Sequence, residues 1–169
     1  MALDQNKIAG ALFMDLSKAF DCLPHGLLIA KLHAYGVKHT ACTLIADYLT
    51  DRRQRVKLSD ARSSWVVLSK GVPQGSILGP LLFNIFINDI FYFMEQCDLY
   101  NYADDNSLSK ISDSVDGVMS GLKHDCHISI KWYKNNGIEA NPIKFHLLLA
   151  SSRPLEQQIL RIDENTVIA

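Results

Sequence analysis

Three aspartates stand where predicted strands give way to turns, and their side chains have the chemistry of metal ligands. Asp15 ends the apolar run of residues 8–15, and Asp104 and Asp105 lie between two short strand-like segments. Carboxylates are hard oxygen ligands that suit Mg²⁺, and three of them at one place repel one another unless cations lie between them. If the fold gathers these acids, they predict a divalent-metal site. The alternative interpretation makes Asp15 a local cap, and Asp104 and Asp105 ordinary turn acids.

Hydrophobic periodicity and turn residues predict the elements that must position these acids. The continuous apolar run 8–15 is typical of a strand buried on both faces. The run 80–94, which Pro80 begins, is predicted to be a core helix that buries Leu81, Leu82, Ile85, Phe86, Ile90 and Phe93. In chain order, the predicted elements are a strand at 8–15, a helix from Pro24 to Gly36, a helix at 39–51, a hairpin of 54–58 and 64–69, the helix 80–94, strands at 97–103 and 106–111, a helix at 114–135, a strand at 144–151, and one further strand within 155–169.

This order of elements predicts an α+β fold. If the helix pair and hairpin after the first strand are treated as an insertion, the order is β-α-β-β-α-β, the split βαβ pattern of ferredoxin-like folds. The expected architecture is an antiparallel sheet packed on helices. Right-handed crossovers make the first and second strands of this pattern point the same way. The end of the first strand then lies at the same sheet edge as the second hairpin's turn, so we expect Asp15 beside Asp104 and Asp105.

Charge and composition bear on the class of partner. With 17 Lys and Arg against 18 Asp and Glu, the net charge of −1 argues mildly against a nucleic-acid partner, which normally calls for a cationic excess. A local basic strip offsets this, because local charge can bind phosphate on a neutral protein. Its residues are expected either to contact nucleic-acid phosphates or to form only an exposed helix end; they are Arg52, Arg53, Arg55 and Lys57.

The setting of the protein is expected to be intracellular, in the cytoplasm or nucleus. The four cysteines form no C-x-x-C pair, so neither a zinc knuckle nor a disulfide framework is indicated. A secretory signal is not evident at the N-terminus. The apolar run 78–94 contains Asn84, Asn88 and Asp89 and is short for a membrane crossing of about 20 residues, so no membrane partner is expected.

Three longer motifs resemble those of a known family. FMDLSKAFD at 13–21, GVPQGSILGPLLFNIFIND at 71–89 and NYADDNS at 101–107 occur in the order and spacing of reverse transcriptases. They resemble the non-LTR, LINE-type retrotransposon enzymes most closely. Residues 1–151 are then expected to be a polymerase palm and 152–169 a C-terminal tail. The resemblance implies an RNA-directed DNA polymerase that transfers deoxynucleoside triphosphates to a DNA primer 3′-hydroxyl on an RNA template, using two Mg²⁺ ions for which Mn²⁺ can substitute.

The resemblance also assigns roles to the acids and to a lysine. Asp15 is expected to be the first metal ligand, Asp104 the second, and Asp105 the third acid of the YADD turn. Lys144 stands in the segment Gly-Ile-x-x-Asn-x-x-Lys, which in the family is proposed to supply a proton to the leaving pyrophosphate. The alternative for Lys144 is a simply solvated lysine at a strand start.

Nucleotide-binding roles follow in the same way. Phe20 matches the aromatic gate that excludes a ribose 2′-hydroxyl, although its alternative is a plain core residue. Gln74 matches the residue that lies against the incoming nucleotide, and Gly75, like Gly71 and Gly79, would allow a close backbone approach to it.

The family's fingers and thumb do not fit in 169 residues. The chain is therefore expected to be a truncated retrotransposon fragment that needs those segments in cis or in trans for useful activity. One alternative is an inactive relic that folds and binds nucleic acid or a partner. A second alternative, a plain ferredoxin-like binding module, requires the motif matches to be chance.

Overall fold

A computed structural model of the chain describes residues 5–162 and 165–168. Two compact units are present, a helical unit of Lys18–Ile87 and a sheet unit of Met1–Ser17 with Asn88–Ala169. The α-helices are α1 (Ala19–Cys22), α2 (His25–Ala34), α3 (His39–Leu49), α4 (Leu78–Ile87) and α5 (Val115–Asn135), with 3-10 helices at Asn88–Phe93 and Pro142–Lys144. The strands are β1 (Ile8–Met14), β2 (Leu16–Ser17), β3 (Arg53–Gln54), β4 (Lys57–Leu58), β5 (Ala61–Arg62), β6 (Val66–Val67), β7 (Asp98–Tyr102), β8 (Asp105–Ser112), β9 (Glu139–Ala140), β10 (His146–Ala150), β11 (Ile159–Ile162) and β12 (Asn165–Ile168).

The sheet unit contains a four-stranded sheet in the order β10-β1-β8-β7. Each neighbouring pair in it is antiparallel. Because β1 and β7 are both antiparallel to β8, they point the same way, as the split βαβ pattern requires. The predicted α+β class, with an antiparallel sheet and helices, is confirmed.

One face of this sheet is covered by α5. Leu12 and Met14 of β1 are buried with Leu108, Val118 and Leu122 in one apolar cluster. An added Cβ at Gly10 would collide with Val118, so β1 and α5 approach as closely as they do because position 10 lacks a side chain.

The opposite face of β1 is open, which corrects the prediction that this strand is buried on both faces. Phe13, between the buried Leu12 and Met14, keeps 46% of its surface exposed. Period-two alternation sends Phe13 to the face that α5 does not cover.

The C-terminal segment adds more to the fold than predicted. Instead of one strand, it forms two, β11 and β12, paired antiparallel. Their residues Leu160, Ile162 and Val167 are buried in the same cluster as Leu12. The segment after residue 151 is therefore part of the core of the sheet unit.

A buried carboxylate holds the segment that leads into β7. Asp125, on α5, is fully buried. Its Oδ2 accepts hydrogen bonds from the backbone N–H groups of Glu95, Gln96 and Cys97, at 3.2, 3.0 and 2.8 Å. Burial, with the nearby Asp125 charge, raises the pKa of the Cys97 thiol to about 12. Because β7 is an edge strand, this anchor supplies a constraint that a second neighbouring strand would otherwise provide.

In the helical unit, α2 ends as predicted, with Gly36 at a φ of 85°. The predicted hairpin consists of two short ladders, β3 with β6 and β4 with β5. Helix α4 buries the large apolar side chains of Leu82, Phe83 and Phe86. None of the helices in the part of the chain that the structure describes is long and apolar enough to cross a membrane.

The predicted helix 80–94 is in fact α4 followed by the 3-10 helix Asn88–Phe93. Two of its predicted core residues are exposed, Leu81 by 53% and Phe93 by 51%. For Phe93, an α-helical period carried past residue 87 predicts the wrong face, because a 3-10 helix has about three residues per turn. Leu81 lies within α4, at a position that this helix leaves exposed.

Candidate active site

The turn between β7 and β8 carries the paired acids of the YADD motif. Tyr102 and Asp105 are register partners, so the connection between the strands is the two residues Ala103 and Asp104. Ala103 has a φ of 55°. The sequence suggested that both acids lie in the turn, whereas Asp105 is the first residue of β8. Both carboxylates are exposed.

Asp15 lies at the same edge of the sheet. Met14, the last residue of β1, is the register partner of Asn106 in the antiparallel strand β8. Asp15, which follows Met14, therefore lies next to Asp105, which precedes Asn106. The backbone carbonyl of Asp15 accepts a hydrogen bond from the Asn141 N–H at 2.9 Å. Backbone pairing on both sides of β1 therefore sets the position of Asp15.

Asp15 and Asp105 line one cavity of about 550 Å³ in the sheet unit. Lys144 also lines it, and its Nζ lies 3.4 Å from Asp15 Oδ2. Asp104 lies outside this lining, on the adjacent turn. The structure thus brings together two of the three predicted metal ligands and the predicted proton donor.

The three acids have the right chemistry for a hard divalent ion, but they are not gathered as a ready ligand set. Across residues 5–162 and 165–168, no group of three or more His, Cys, Asp or Glu side chains is arranged to hold a metal ion. The Lys144 ammonium is the positive charge next to Asp15. Asp15 and Asp105 fit the donor chemistry, and Asp104 would have to turn toward them to complete the set.

Several residues of this cavity were not singled out from the sequence. Phe13, Tyr100 and Tyr102, with Ser107 and His146, line it together with the acids. Phe13 is the register partner of both Ser107 and His146, which places these residues on one face. Period-two alternation from Asp15 and Asp105 is the sequence signal that finds them.

The predicted nucleotide-binding residues lie in the helical unit. The ring of Phe20 stacks on Phe83 of α4, with centroids 4.4 Å apart and planes at 26°. This contact agrees with the alternative interpretation of Phe20, in which its ring is a packing residue of the core. Gln74 is exposed, and its Nε2 donates to Asp21 Oδ1 at 2.9 Å. Gly75 is exposed, with a φ of 76°.

The three glycines of the GVPQGSILGP loop differ in what approaches them. An added Cβ at Gly71 would lie 2.7 Å from the Asp21 backbone, and one at Gly79 would lie 2.7 Å from the Pro73 carbonyl oxygen. At these two positions the close approach is made by the protein's own backbone. Among the described atoms, none lies within 4 Å of a Cβ added at Gly75, so only this glycine leaves space for a ligand.

A second cavity, of about 640 Å³, lies within the helical unit and joins two sets of predicted residues. Arg52 and Arg53 of the basic strip line it together with Gln74. Two further lysines, Lys18 and Lys70, line it too and were missed. Each is next to a motif, Lys18 within FMDLSKAFD and Lys70 directly before GVPQG.

The other two basic residues of the strip are on the exposed hairpin. Arg55 lies over the ring of Trp65, with its guanidinium carbon 4.4 Å from the ring centroid. Lys57 is exposed on β4. Two of the four residues of the predicted basic strip, Arg52 and Arg53, therefore line the cavity in the helical unit, and Arg55 and Lys57 do not.

Comparison with known proteins decides the family. The reverse transcriptase (RNA-dependent DNA polymerase) family matches residues 1–162. The chain belongs to this family. It is similar to a probable RNA-directed DNA polymerase from transposon BS of Drosophila melanogaster, with 33% identity over 156 residues. It is also similar to the RNA-directed DNA polymerase from mobile element jockey of the same species, with 28% identity over 151 residues.

Each of these two alignments covers 85% of this chain and 16% of the relative. The chain thus spans about a sixth of the length of these relatives. The predicted membership among reverse transcriptases of LINE-type elements is confirmed.

Solved structures agree on the fold of this reverse transcriptase chain. A structure of apo telomerase from Candida tropicalis, truncated from its C-terminal domain, has a TM-score of 0.64 at 16% identity, covering 89% of this chain and 32% of the telomerase. A structure of telomerase from the same organism in complex with a fragment of telomeric RNA has a TM-score of 0.66 at 13% identity, covering 89% of this chain and 28% of that one. At such identities the likeness shows the palm-type fold alone.

Proposed function

We propose that the chain is the catalytic palm of an RNA-directed DNA polymerase, which transfers deoxynucleotides to a primer 3′-hydroxyl. The observation that carries this proposal is the cavity at one edge of the sheet, where Asp15, Asp105 and Lys144 meet. They come from three separate segments of the chain, so this grouping exists only in the folded chain. Membership of the reverse transcriptase family supports the same reaction.

Asp15, Asp104 and Asp105 would hold the metal ions. When bound, two divalent ions lower the pKa of the primer hydroxyl and neutralise charge on the leaving pyrophosphate. Asp15 and Asp105 present anionic oxygens from adjacent positions at the sheet edge. Asp104 extends the same edge from the turn. Paired strands hold Asp15 and Asp105 in place, so these two acids need little reorganisation when a substrate arrives, whereas the Asp104 side chain has to turn toward them.

Lys144 is proposed to act on the leaving group. Its ammonium group reaches the cavity, at 3.4 Å from Asp15 Oδ2, and its side chain is 64% exposed. A lysine so placed holds a proton at Nζ that it can give to pyrophosphate. Its charge also offsets that of Asp15.

The helical unit is proposed to select the nucleotide and to bind the nucleic acid. Phe20 cannot swing freely while it is stacked on Phe83, and a fixed ring discriminates by size better than a mobile one. Gln74 and Gly75 are exposed in the GVPQG loop, and Gln74 is hydrogen-bonded to Asp21, the residue after Phe20. Arg52 and Arg53 share a cavity with Lys18 and Lys70, which supports binding to phosphates of an RNA template and DNA primer.

Primer extension tests the proposal. The corresponding segment of the transposon BS polymerase is exchanged for this chain, and a labelled DNA primer is extended on an RNA template with Mg²⁺ or with Mn²⁺. We expect synthesis, and we expect Asp15→Asn or Asp104→Asn to lower the rate by more than about a hundredfold, since each removes several kcal/mol of charge stabilisation.

The matched control is Asp113→Asn, which neutralises an exposed acid after β8 in the same unit and should leave the rate unchanged. A folded chimera that binds the primer–template duplex but makes no product would instead favour a relic that only binds nucleic acid. Wild-type rates for Asp104→Asn would refute the assignment of the site.

A further inference from the structure

Two asparagines lie directly behind the turn that carries Asp104. Asn101 of β7 and Asn106 of β8 are register partners, one pair in from Tyr102 and Asp105. Asn106 is only 2% exposed and lies on the same face of β8 as the fully buried Leu108. Amides shielded from water need hydrogen-bond partners. These two amides are hydrogen-bonded to each other and to the backbone of the turn.

The hydrogen bonds of this pair converge on two carbonyl groups. Asn101 Nδ2 donates to the Ala103 carbonyl oxygen at 2.8 Å and to Asn106 Oδ1 at 2.9 Å. Asn106 Nδ2 donates to the Asp104 carbonyl oxygen at 3.0 Å. Both carbonyls of the two-residue turn are thus held by side-chain amides.

These two carbonyls belong to the peptide groups on either side of the Asp104 Cα. The Ala103 carbonyl fixes the plane before it and the Asp104 carbonyl fixes the plane after it. With both planes held, φ and ψ of Asp104 are set, and so is the direction of its Cα–Cβ bond. The pair also stabilises Ala103 at a φ of 55°, a conformation that residues other than glycine rarely adopt.

We propose that Asn101 and Asn106 are positioning residues that aim the Asp104 carboxylate. Both residues also line the cavity that holds Asp15 and Asp105, but the hydrogen bonds of their amide N–H groups are made to the turn and within the pair, so they act on Asp104 through its backbone. The alternative is that each amide merely satisfies the other inside the sheet unit. In that case their loss would lower stability and leave the turn's backbone as it is.

Backbone couplings separate these two explanations. The HN–Hα scalar couplings of Ala103 and Asp104 report φ and can be measured by NMR in the ¹⁵N-labelled chain and in Asn101→Ala and Asn106→Ala variants. We expect one fixed conformation in the wild type and averaged couplings in both variants, with faster amide exchange at Asp104. Wild-type couplings in both variants would overturn the proposal.

The control is Val167→Ala, which removes buried atoms from the same core but lies on β12, outside the strands β7 and β8 that carry the turn. It lowers stability without touching the asparagines, and its Ala103 and Asp104 couplings should remain those of the wild type. If Asn106→Ala does not fold, Asn101→Ala decides, since Asn101 is only partly buried.

A metal titration gives the functional consequence, which rests on the proposed function. We expect the Mn²⁺ dissociation constant to rise about tenfold in the two asparagine variants and to stay unchanged in Val167→Ala, as for residues that orient metal ligands. Equal Mn²⁺ affinity in all four proteins would overturn the positioning role. If the wild type binds no Mn²⁺, the metal-dependent function fails, and the couplings still decide whether the pair sets the turn.

Discussion

The two cavities of this protein are built in different ways. In the sheet unit, Asp15 and Asp105 are set by strands whose backbones pair along their length, with β1 bonded on both sides. In the helical unit, the cavity is lined by loops and by two-residue strands such as β3 and β6. The acids thus stand on a rigid frame, whereas the cations reach into the second cavity on long side chains.

This difference matches what the ligand proposed for each cavity would require. A divalent ion needs oxygen ligands at defined distances, so small displacements are costly. Phosphate groups along a nucleic acid are attracted over longer distances, and flexible lysines and arginines can follow them. We therefore expect the stability of the sheet unit to depend on its buried polar contacts. In the helical unit, we expect stability to depend on the close backbone contact of Gly71 with Asp21, and RNA binding to depend on the charges that line the cavity.

The largest effect is expected for Asp125→Ala in the sheet unit. This change removes a fully buried carboxylate and leaves three part-buried backbone N–H groups, at residues 95–97, without their acceptor. We expect the free energy of unfolding to fall by about 3–5 kcal/mol, the usual cost of breaking a buried charged interaction. Urea denaturation measures it. Asp116→Ala, which removes an exposed acid from the first turn of the same helix, should cost less than about 1 kcal/mol. Equal losses in the two variants would show that β7 does not depend on this anchor.

A smaller loss is expected for Gly71→Ala in the helical unit. Gly71 has a φ of 85°, and an added Cβ would lie 2.7 Å from the Asp21 backbone. We expect about 2–3 kcal/mol of destabilisation, from the left-handed conformation and from the collision together. Gly75→Ala is the matched control, since its φ of 76° carries the first cost without the second, and it should lose about 1 kcal/mol. Similar losses at both positions would mean that the approach of Gly71 to Asp21 is not tight.

Much of the sheet unit could be predicted from the sequence, because local patterns decide it. Strand β1, strands β7 and β8 and helix α5 follow from apolar periodicity and turn residues, and their order gives the sheet topology. Ser114 begins α5 as a helix cap should, accepting a hydrogen bond from the Gly117 N–H. The convergence of Asp15 with Asp105 at one edge follows from that topology.

What the sequence could not supply are features that depend on distant partners. The ion pair of Lys144 with Asp15 joins residues far apart in the chain. The hairpin of β11 and β12 carries only a short alternating pattern, and its burial depends on the core already formed by β1 and α5. The turn position of Asp104 depends on the register of β7 and β8, and a shift of one residue would exchange the faces of every side chain in the pair.

The smallest effect is expected for single cations in the helical cavity. Arg53→Ala or Lys70→Ala should weaken binding of a single-stranded RNA oligonucleotide about two- to fivefold, as for other exposed ionic contacts. The slope of log K against log salt should fall by roughly 0.7 for each cation lost, because one fewer counterion-releasing contact is made. Fluorescence anisotropy over a range of salt concentrations measures both quantities.

The controls for this prediction lie in the same unit. Lys38→Ala removes an exposed lysine that does not line the cavity and should change neither affinity nor slope. Asp21→Asn should strengthen binding, because it removes the acid that lines the cavity while keeping an oxygen to accept from Gln74. If Lys38→Ala weakens binding as much as Lys70→Ala, the attraction comes from general surface charge. If Lys70→Ala weakens RNA binding and Asp21→Asn strengthens it, the attraction arises from the charges that line the cavity. Flexible cations there would bind phosphates through their charge, without a fixed geometry.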